Sequence, residues 1–306
     1  MDTQHLAPAW TALMAPQTGD IRTELVREAA EYLGLPLAES WDRLRGAGDR
    51  FRQEWIGTVG ESADPEKLQQ FYNQSDTELF ELIEWHASDP IHYRTLVLRD
   101  LALAQPGRTY LDYGSGIGSD AVAFGEAGFE VTLADISDIL LGFAAFRCQK
   151  RGIRLHTIDL KTNTIPAHAF DVAACFDVLE HIPEPLPVVR KIRSALKPGG
   201  LLAIHAPFGE DPEHPMHVVH QDVVTPRMRW MGFTPVDAHF PPGVLAPQLY
   251  RKTDLPMRDR VGYFAYDVYL KNRVGAHIAG LYRRLFSAPR AASSRTSPSD
   301  GQRLSS

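Results

Sequence analysis

The sequence predicts an α/β protein with a seven-stranded, mostly parallel sheet, helices on both faces, and an N-terminal all-helical cap. Three observations lead to this fold class. Apolar runs and helical patterns alternate between residues 109 and 206, which is typical of a parallel sheet covered on both faces. The run TYLDY, residues 109–113, leads directly into a glycine-rich turn, GSGIG. The first 90 residues show only helical periodicity.

The N-terminal helices are predicted from apolar stripes and end signals. Asp64 is an N-cap candidate with Pro65 in the first helical position, and Ser75 with Glu78 forms a possible capping box. Gly34 ends the first predicted helix. We expect helices from Asp20 to Gly34, over 41–55, from Asp64 and from Ser75, followed by one carrying Leu96, Leu98 and Leu101.

The central region supplies the sheet, with a ligand expected outside the carboxyl ends of its strands. We expect a first strand that contains Tyr110 and Leu111 and ends at Asp112. Further strands are expected at 129–134, 154–158, 170–176, 201–206, 233–240 and 247–252, and helices at 119–127, 137–151, 185–196 and 222–231. The predicted domains are a helical cap (1–90), a core (91–255), a helical extension (256–286) and a disordered tail (287–306). The apolar stripe at 274–285 fits docking on the domain or, alternatively, a membrane-surface helix.

The amino-acid composition indicates which kind of molecule the protein can bind. With 306 residues and 44% hydrophobic residues, the chain can bury a substantial core. Its net charge of -6 offers no basic surface for bulk nucleic acid, so a small molecule is the expected partner. Cys148 and Cys175 show no disulfide or metal-type spacing, and no export signal or apolar run of membrane-spanning length is present. We expect a soluble cytoplasmic protein.

The glycine-rich turn predicts a site for a nucleotide or nucleoside. Gly114, Gly116 and Gly118 follow Asp112 at alternate positions, and such glycines let the backbone approach a ligand closely. A dinucleotide-binding fingerprint would place its third glycine at position 119, where this chain has serine. The turn alone leaves nucleoside binding, dinucleotide binding and a purely structural turn open.

Asp135 ends the second predicted strand. A carboxylate at this place can accept hydrogen bonds from both hydroxyls of a ribose, and Ile136 would then lie against the adenine. The alternative is that Asp135 only caps the following helix.

Two later segments decide the interpretation. FDVAACFDVLEHIPEP at 170–185 and LKPGGLLAIHAP at 196–207, together with the DxGxGxG turn, resemble the motifs of class I S-adenosylmethionine-dependent methyltransferases of the ubiquinone-biosynthesis type. The resemblance covers about residues 105–240. It implies a Rossmann-like core, S-adenosylmethionine as cofactor, and a lid formed by the segment before the glycine turn.

The resemblance also implies roles for individual residues. The three glycines would border the methionine part of the cofactor, with Asp112 supporting the turn. Asp159 would read the adenine amino group with Leu160 beside it, unless it is a solvated loop carboxylate. Phe176 and Asp177 would line the reactive end of the cofactor.

The acceptor side is predicted mainly from histidines and aromatic residues. His181, His217 and His220 are candidate catalytic bases, although His181 could instead fix its loop by hydrogen bonds. Four histidines lie within 205–220. This segment fits a pocket-lining loop, a hydrogen-bonded structural loop or a metal site, and no metal is predicted. Phe71, Tyr72 and His214 are candidate acceptor contacts, with core packing as the alternative for the two aromatic residues.

The sequence therefore predicts a methyltransferase that moves a methyl group to an O, N or C atom of a small-molecule acceptor. An NAD-dependent oxidoreductase and a non-catalytic S-adenosylmethionine-binding partner protein are the alternatives. The sequence does not fix the oligomeric state.

Overall fold

The structure is a computed structural model that describes residues 5–60, 64–209, 214–218, 221–241 and 244–265. Within these ranges, every helix is too short or too polar to cross a membrane. Most of the predicted C-terminal extension, including the 274–285 stripe, and the whole 287–306 tail lie outside the described residues.

In the described part of the chain, seven α-helices precede the sheet, and their ends follow local sequence signals. The Asp20 carboxylate accepts a hydrogen bond from the Thr23 N–H, and Gly34 adopts φ +66° after the last helical residue. Asp64 caps the helix that begins at Pro65, as predicted. The helices are α1 (Leu6–Met14), α2 (Ile21–Leu33), α3 (Leu37–Leu44), α4 (Ala47–Thr58), α5 (Pro65–Gln74), α6 (Thr77–Ser88) and α7 (Arg94–Leu103).

One helix prediction in this region was wrong and one helix was missed. The stripe at 41–55 is not a single helix, because Gly46 adopts φ +65° and separates α3 from α4. Helix α1 was not predicted. The Ser75 capping box is half formed: the Ser75 hydroxyl accepts from the Glu78 N–H, and Asp76 is the N-cap residue.

The sheet has seven strands in the order β3-β2-β1-β4-β5-β7-β6. β7 pairs antiparallel with both β5 and β6, and the other neighbouring strands pair parallel. The predicted mostly parallel sheet is therefore confirmed. The strands are β1 (Thr109–Tyr113), β2 (Glu130–Asp135), β3 (Leu155–Asp159), β4 (Phe170–Phe176), β5 (Leu196–His205), β6 (Phe233–Pro235) and β7 (Gln248–Lys252). The later helices are α8 (Ser119–Glu126), α9 (Asp138–Lys150), α10 (Pro185–Ala195) and α11 (Met257–Phe264).

The helix predicted at 222–231 is absent; the structure has only a 3-10 turn at Thr225–Arg227. The Asp222 carboxylate accepts from the N–H groups of Val224 and Thr225, which favours a turn over a helix. The strand predicted at 233–240 is correspondingly short, ending at Pro235.

Strand order places the ligand crevice. β1 lies between β2 and β4. The chain adds β2 and β3 on one side of β1 and then crosses to the other side to add β4 and β5. The carboxyl ends of these three strands therefore form a switch point, where ligands bind in open α/β sheets.

The N-terminal helices share an apolar core with the sheet domain. Leu25 of α2 and Leu79 of α6 are buried in one cluster with Ile117 of the glycine turn and Phe143 of α9. Helix α1 joins the main core beside the sheet. The helical cap is thus packed continuously onto the glycine turn.

A buried ion pair connects the same elements. Arg147 on α9 pairs with Glu28 on α2, its Nε lying 2.8 Å from a Glu28 carboxylate oxygen, and both side chains are fully buried. Arg147 also donates to the Ile117 carbonyl at 2.5 Å. Glu28 on α2 therefore positions Arg147, and Arg147 in turn hydrogen-bonds the glycine turn.

Candidate active site

A cavity of about 670 Å³ opens at the carboxyl ends of β1, β2 and β4, beneath helices α5 and α6. It brings together most of the predicted site residues that the structure describes. Those in its wall are Tyr72, Gly114, Gly116, Asp135, Ile136, Leu160, Phe176, Asp177, His181, His214 and His217. Phe71, Asp112, Gly118 and Asp159 are not part of the wall, and His220 lies outside the described residues.

The three glycines of the turn have different surroundings. Gly116 adopts φ +49° and lines the cavity, and a Cβ there would meet only a Leu82 methyl group at 3.5 Å. At Gly118, with φ +73°, a Cβ would meet Ala144 at 2.7 Å. Gly116 thus leaves backbone accessible from the cavity, whereas Gly118 allows the turn to pack on α9.

Asp135 holds the glycine turn and borders the cavity. One carboxylate oxygen accepts from the Gly116 N–H and the other from the Ser137 N–H, both at 2.9 Å. Burial raises the pKa of Asp135 although backbone N–H groups oppose the shift. Each carboxylate oxygen can accept a second hydrogen bond. The N-cap residue of α9 is Ser137 rather than Asp135.

Asp112 and Asp159 support neighbouring backbone. Asp112 is buried beneath the turn, and this burial, together with the charges of Asp120 and Asp135, raises its pKa well above the ordinary value. Asp159 accepts from the Lys161 N–H and the Thr162 hydroxyl, each at 2.9 Å. Its carboxylate is therefore engaged in its own turn.

Arg94 is a site residue that the sequence analysis missed. Its guanidinium lies 2.5 Å from an Asp177 oxygen and 4.2 Å from the centre of the Phe176 ring. His205 hydrogen-bonds the other Asp177 oxygen. Burial alone would raise the pKa of Asp177, but the bonds from His205 and Arg94 hold it at about 2. Asp177 is therefore an ionised, fully engaged part of the cavity wall.

The two described candidate bases lie next to each other. The His181 and His217 ring centres are 5.1 Å apart, and Tyr72 stands 6.0 Å from His181. His181 Nδ1 lies 3.1 Å from the Met216 carbonyl oxygen, so this nitrogen carries the proton and donates. Burial and the neighbouring His217 lower the pKa of His181 to about 4. His181 is consequently neutral at physiological pH.

Phe71 lies behind this wall. It packs against Phe51, Trp55 and Tyr72 in a separate apolar cluster and is only 3% exposed. This placement matches the core-packing alternative. Tyr72, in contrast, lines the cavity.

A second unpredicted group closes the cavity on the side of the helical cap. His86 and His92 stack with ring centres 3.8 Å apart, and Trp85 meets the His92 ring at 4.7 Å. All three line the cavity. Burial and the charge of Arg94 lower the pKa of His92 to about 3.

Replacing His92 by phenylalanine should remove part of the acid sensitivity of the fold. Unfolded His92 takes up a proton below about pH 6.5 but the folded side chain does so only near 3. The wild-type free energy of unfolding should therefore lose about 1.4 kcal/mol per pH unit from this group across that window. Urea unfolding at several pH values would show a shallower dependence in His92→Phe. The exposed His156 gives a matched control, His156→Phe, and equal slopes for wild type and His92→Phe would contradict the prediction.

The protein-family comparison decides the class. A family model described as "Methyltransferase domain" matches residues 87–242, about half of the chain. The chain belongs to the methyltransferase domain family. The class I S-adenosylmethionine-dependent methyltransferase predicted from the motifs is thereby confirmed.

Curated relatives agree with this assignment. The ubiquinone biosynthesis O-methyltransferase of Paraburkholderia phymatum is 29% identical over 145 residues, which are 45% of this chain and 61% of the relative. The protein of the same name from Xanthomonas campestris pv. campestris is 28% identical over 154 residues, covering 45% and 63%. The chain thus spans less than two thirds of the length of these relatives.

Solved structures with a similar fold include two S-adenosylmethionine-related enzymes. One is the Burkholderia thailandensis 1,6-didemethyltoxoflavin-N1-methyltransferase, with TM-score 0.44, 24% identity, and coverage of 56% of this chain and 81% of that one. The other is a SAM-dependent methyltransferase from Leishmania major, with TM-score 0.47, 17% identity and coverage of 66% and 89%.

Proposed function

We propose that this protein transfers the methyl group of S-adenosylmethionine to an O, N or C atom of a small-molecule acceptor by in-line displacement. The observation that carries the proposal is one continuous cavity with two chemically different ends. The glycine turn and Asp135 form one end, and Tyr72, His181 and His217 form the other. Cofactor and acceptor can therefore meet inside one cavity.

The first end fits the cofactor. Asp135 keeps unused acceptor capacity for ribose hydroxyls, and Gly116 presents backbone without a side chain. Ile136 and Leu160 supply apolar walls suited to adenine. The adenine contact assigned to Asp159 would require its carboxylate to accept a further hydrogen bond beside Lys161 and Thr162. Asp112 and Gly118 would shape the turn from behind.

The protein's contribution to catalysis is mainly orientation and exclusion of water. When bound, S-adenosylmethionine supplies an electrophilic methyl group on its sulfonium. The buried Arg94–Asp177 pair fixes the wall beside Phe176. The neutral imidazole of His181 could accept a proton from an acidic acceptor, and His217 is the second candidate for this role. We also place the protein in the cytoplasm, a proposal supported by the two buried free cysteines.

Binding and turnover should be measured separately. Adenosylhomocysteine at 100 times its Kd should stabilise the fold by about 2.7 kcal/mol, whereas NAD should have no effect. With S-adenosylmethionine and a panel of phenols, amines and enols, mass spectrometry should detect an acceptor heavier by one methyl group. Stabilisation by NAD alone would indicate an oxidoreductase. Adenosylhomocysteine binding without methylation of any acceptor would favour a non-catalytic binding protein.

A further inference from the structure

Three side chains at the acceptor end of the cavity form a compact set of potential metal ligands. Glu180 and His181 belong to the 3-10 turn that follows β4, and His217 lies in the loop after β5. One ligand atom from each lies within 4.8 Å of the other two. Two separate chain segments therefore bring two imidazoles and a carboxylate to one point.

Glu180 is buried, and its carboxylate has no hydrogen-bond partner among the described residues. Its side chain is 1% exposed. A buried carboxylate without a partner is costly, and such groups are normally paired or bound to a metal. Arg94, the one arginine or lysine in the described wall of the cavity, is paired with Asp177.

The orientation of His181 also suits a metal ligand. Because Nδ1 donates to the Met216 carbonyl, the tautomer leaves a lone pair on Nε2. A backbone carbonyl that fixes the second ring nitrogen is the usual support for a metal-binding histidine. Asp177 is not part of this group of potential ligands, and its two oxygens bind Arg94 and His205.

We propose that Glu180, His181 and His217 bind a divalent transition-metal ion of the zinc type. Two histidines and one carboxylate are a recurrent ligand set of catalytic zinc sites, in which a fourth position stays open for water or substrate. All three side chains border the cavity. The open position therefore faces the space assigned to the acceptor.

This inference rests on the proposed function and makes it more specific. A metal ion at this place would favour an acceptor that carries a hydroxyl group. A bound divalent ion lowers the pKa of an oxygen ligand, so the acceptor proton can leave to solvent. The oxygen then forms its bond to the methyl carbon as the carbon–sulfur bond breaks, giving a methyl ether and adenosylhomocysteine. His181 and His217 act here as ligands and not as the base.

Metal binding can be tested on the full-length protein without any acceptor. After removal of metals with a chelator, the wild type should bind one equivalent of Zn²⁺ by calorimetry, and Co²⁺ should give a visible absorption band on binding. Glu180→Gln and His181→Gln should each weaken Zn²⁺ binding by roughly 100-fold or more, since loss of a supporting outer group alone costs 10–100-fold.

Matched controls separate metal binding from folding and from the cofactor site. Glu184→Gln changes an exposed carboxylate four residues from Glu180, and His156→Gln changes an exposed histidine on β3; both should bind Zn²⁺ like the wild type. Adenosylhomocysteine affinity reports the cofactor site in every variant. Wild-type protein that binds adenosylhomocysteine but neither metal would overturn the inference, as would equal Zn²⁺ affinity in Glu180→Gln or His181→Gln. Zn²⁺ binding without adenosylhomocysteine binding would instead contradict the proposed function.

Discussion

Replacing Glu28 by alanine is expected to destabilise the fold by about 5 kcal/mol, the upper end of the range for breaking a buried ion pair. Glu28 lies between two guanidinium groups, 2.8 Å from Arg147 Nε and 2.6 Å from an Arg151 nitrogen. Alanine would leave both cations buried without this partner. Arg147→Ala should cost less, about 3 kcal/mol, because Glu28 keeps Arg151.

Urea unfolding of the two variants tests this order. The same pair of helices provides a control: Glu31 on α2 pairs with Lys150 on α9, with the Glu31 side chain 57% exposed. Glu31→Ala should change the free energy of unfolding by at most about 1 kcal/mol. Equal effects of Glu28→Ala and Glu31→Ala would show that burial of the ion pair does not determine its contribution. If Glu28→Ala does not fold, Glu28→Gln, which keeps the shape, provides the measurement.

Replacing Asp135 by alanine is expected to weaken adenosylhomocysteine binding by roughly 100- to 10,000-fold. Two hydrogen bonds from ribose hydroxyls to an ionised carboxylate are worth about 1.5–3 kcal/mol each. The substitution also frees the Gly116 and Ser137 N–H groups that Asp135 now binds, so the glycine turn loses support. Asp135→Asn should have a smaller effect, because the amide oxygen can still accept.

Calorimetric titration with adenosylhomocysteine measures this loss. Asp138→Ala is the control, because Asp138 lies three residues away in the first turn of α9 but is exposed and pairs with Lys161. Its affinity should match that of the wild type. Wild-type affinity in Asp135→Ala would show that Asp135 only supports the backbone, and the proposed ribose contact would then be wrong.

The sheet was predictable because its signals are local. TYLDY and FDVAACF are largely apolar runs beside turn signals. Both form central strands; β4 has the predicted bounds, and β1 extends by one residue at each end beyond the predicted segment from Tyr110 to Asp112. The two helix predictions that were wrong, at 41–55 and 222–231, failed because a single residue changed the local backbone structure. The positive φ of Gly46 divided a helical stripe, and the Asp222 side chain replaced helical hydrogen bonds with a turn.

Only the part of the cavity formed by the sequence motifs at the strand ends was predictable. Gly116, Asp135 and Phe176 follow strands whose carboxyl ends must meet, so their proximity follows from topology. Arg94 lies 83 residues from Asp177, and nothing in its own helix marks it as a partner. The burial of Glu180 likewise depends on tertiary packing. A single glutamate in a loop motif does not indicate from the sequence that its side chain will be buried.

The packing of the first helices around the glycine turn limits how this protein can be divided into fragments. A fragment trimmed to the matched segment, 87–242, would lack α2 and α6 and would expose the apolar faces of Ile117 and Phe143 that they cover. It would also leave Arg147 without Glu28. We therefore expect segment 87–242 to fold poorly by itself, and grafting or domain-swapping experiments should carry the preceding helices with it.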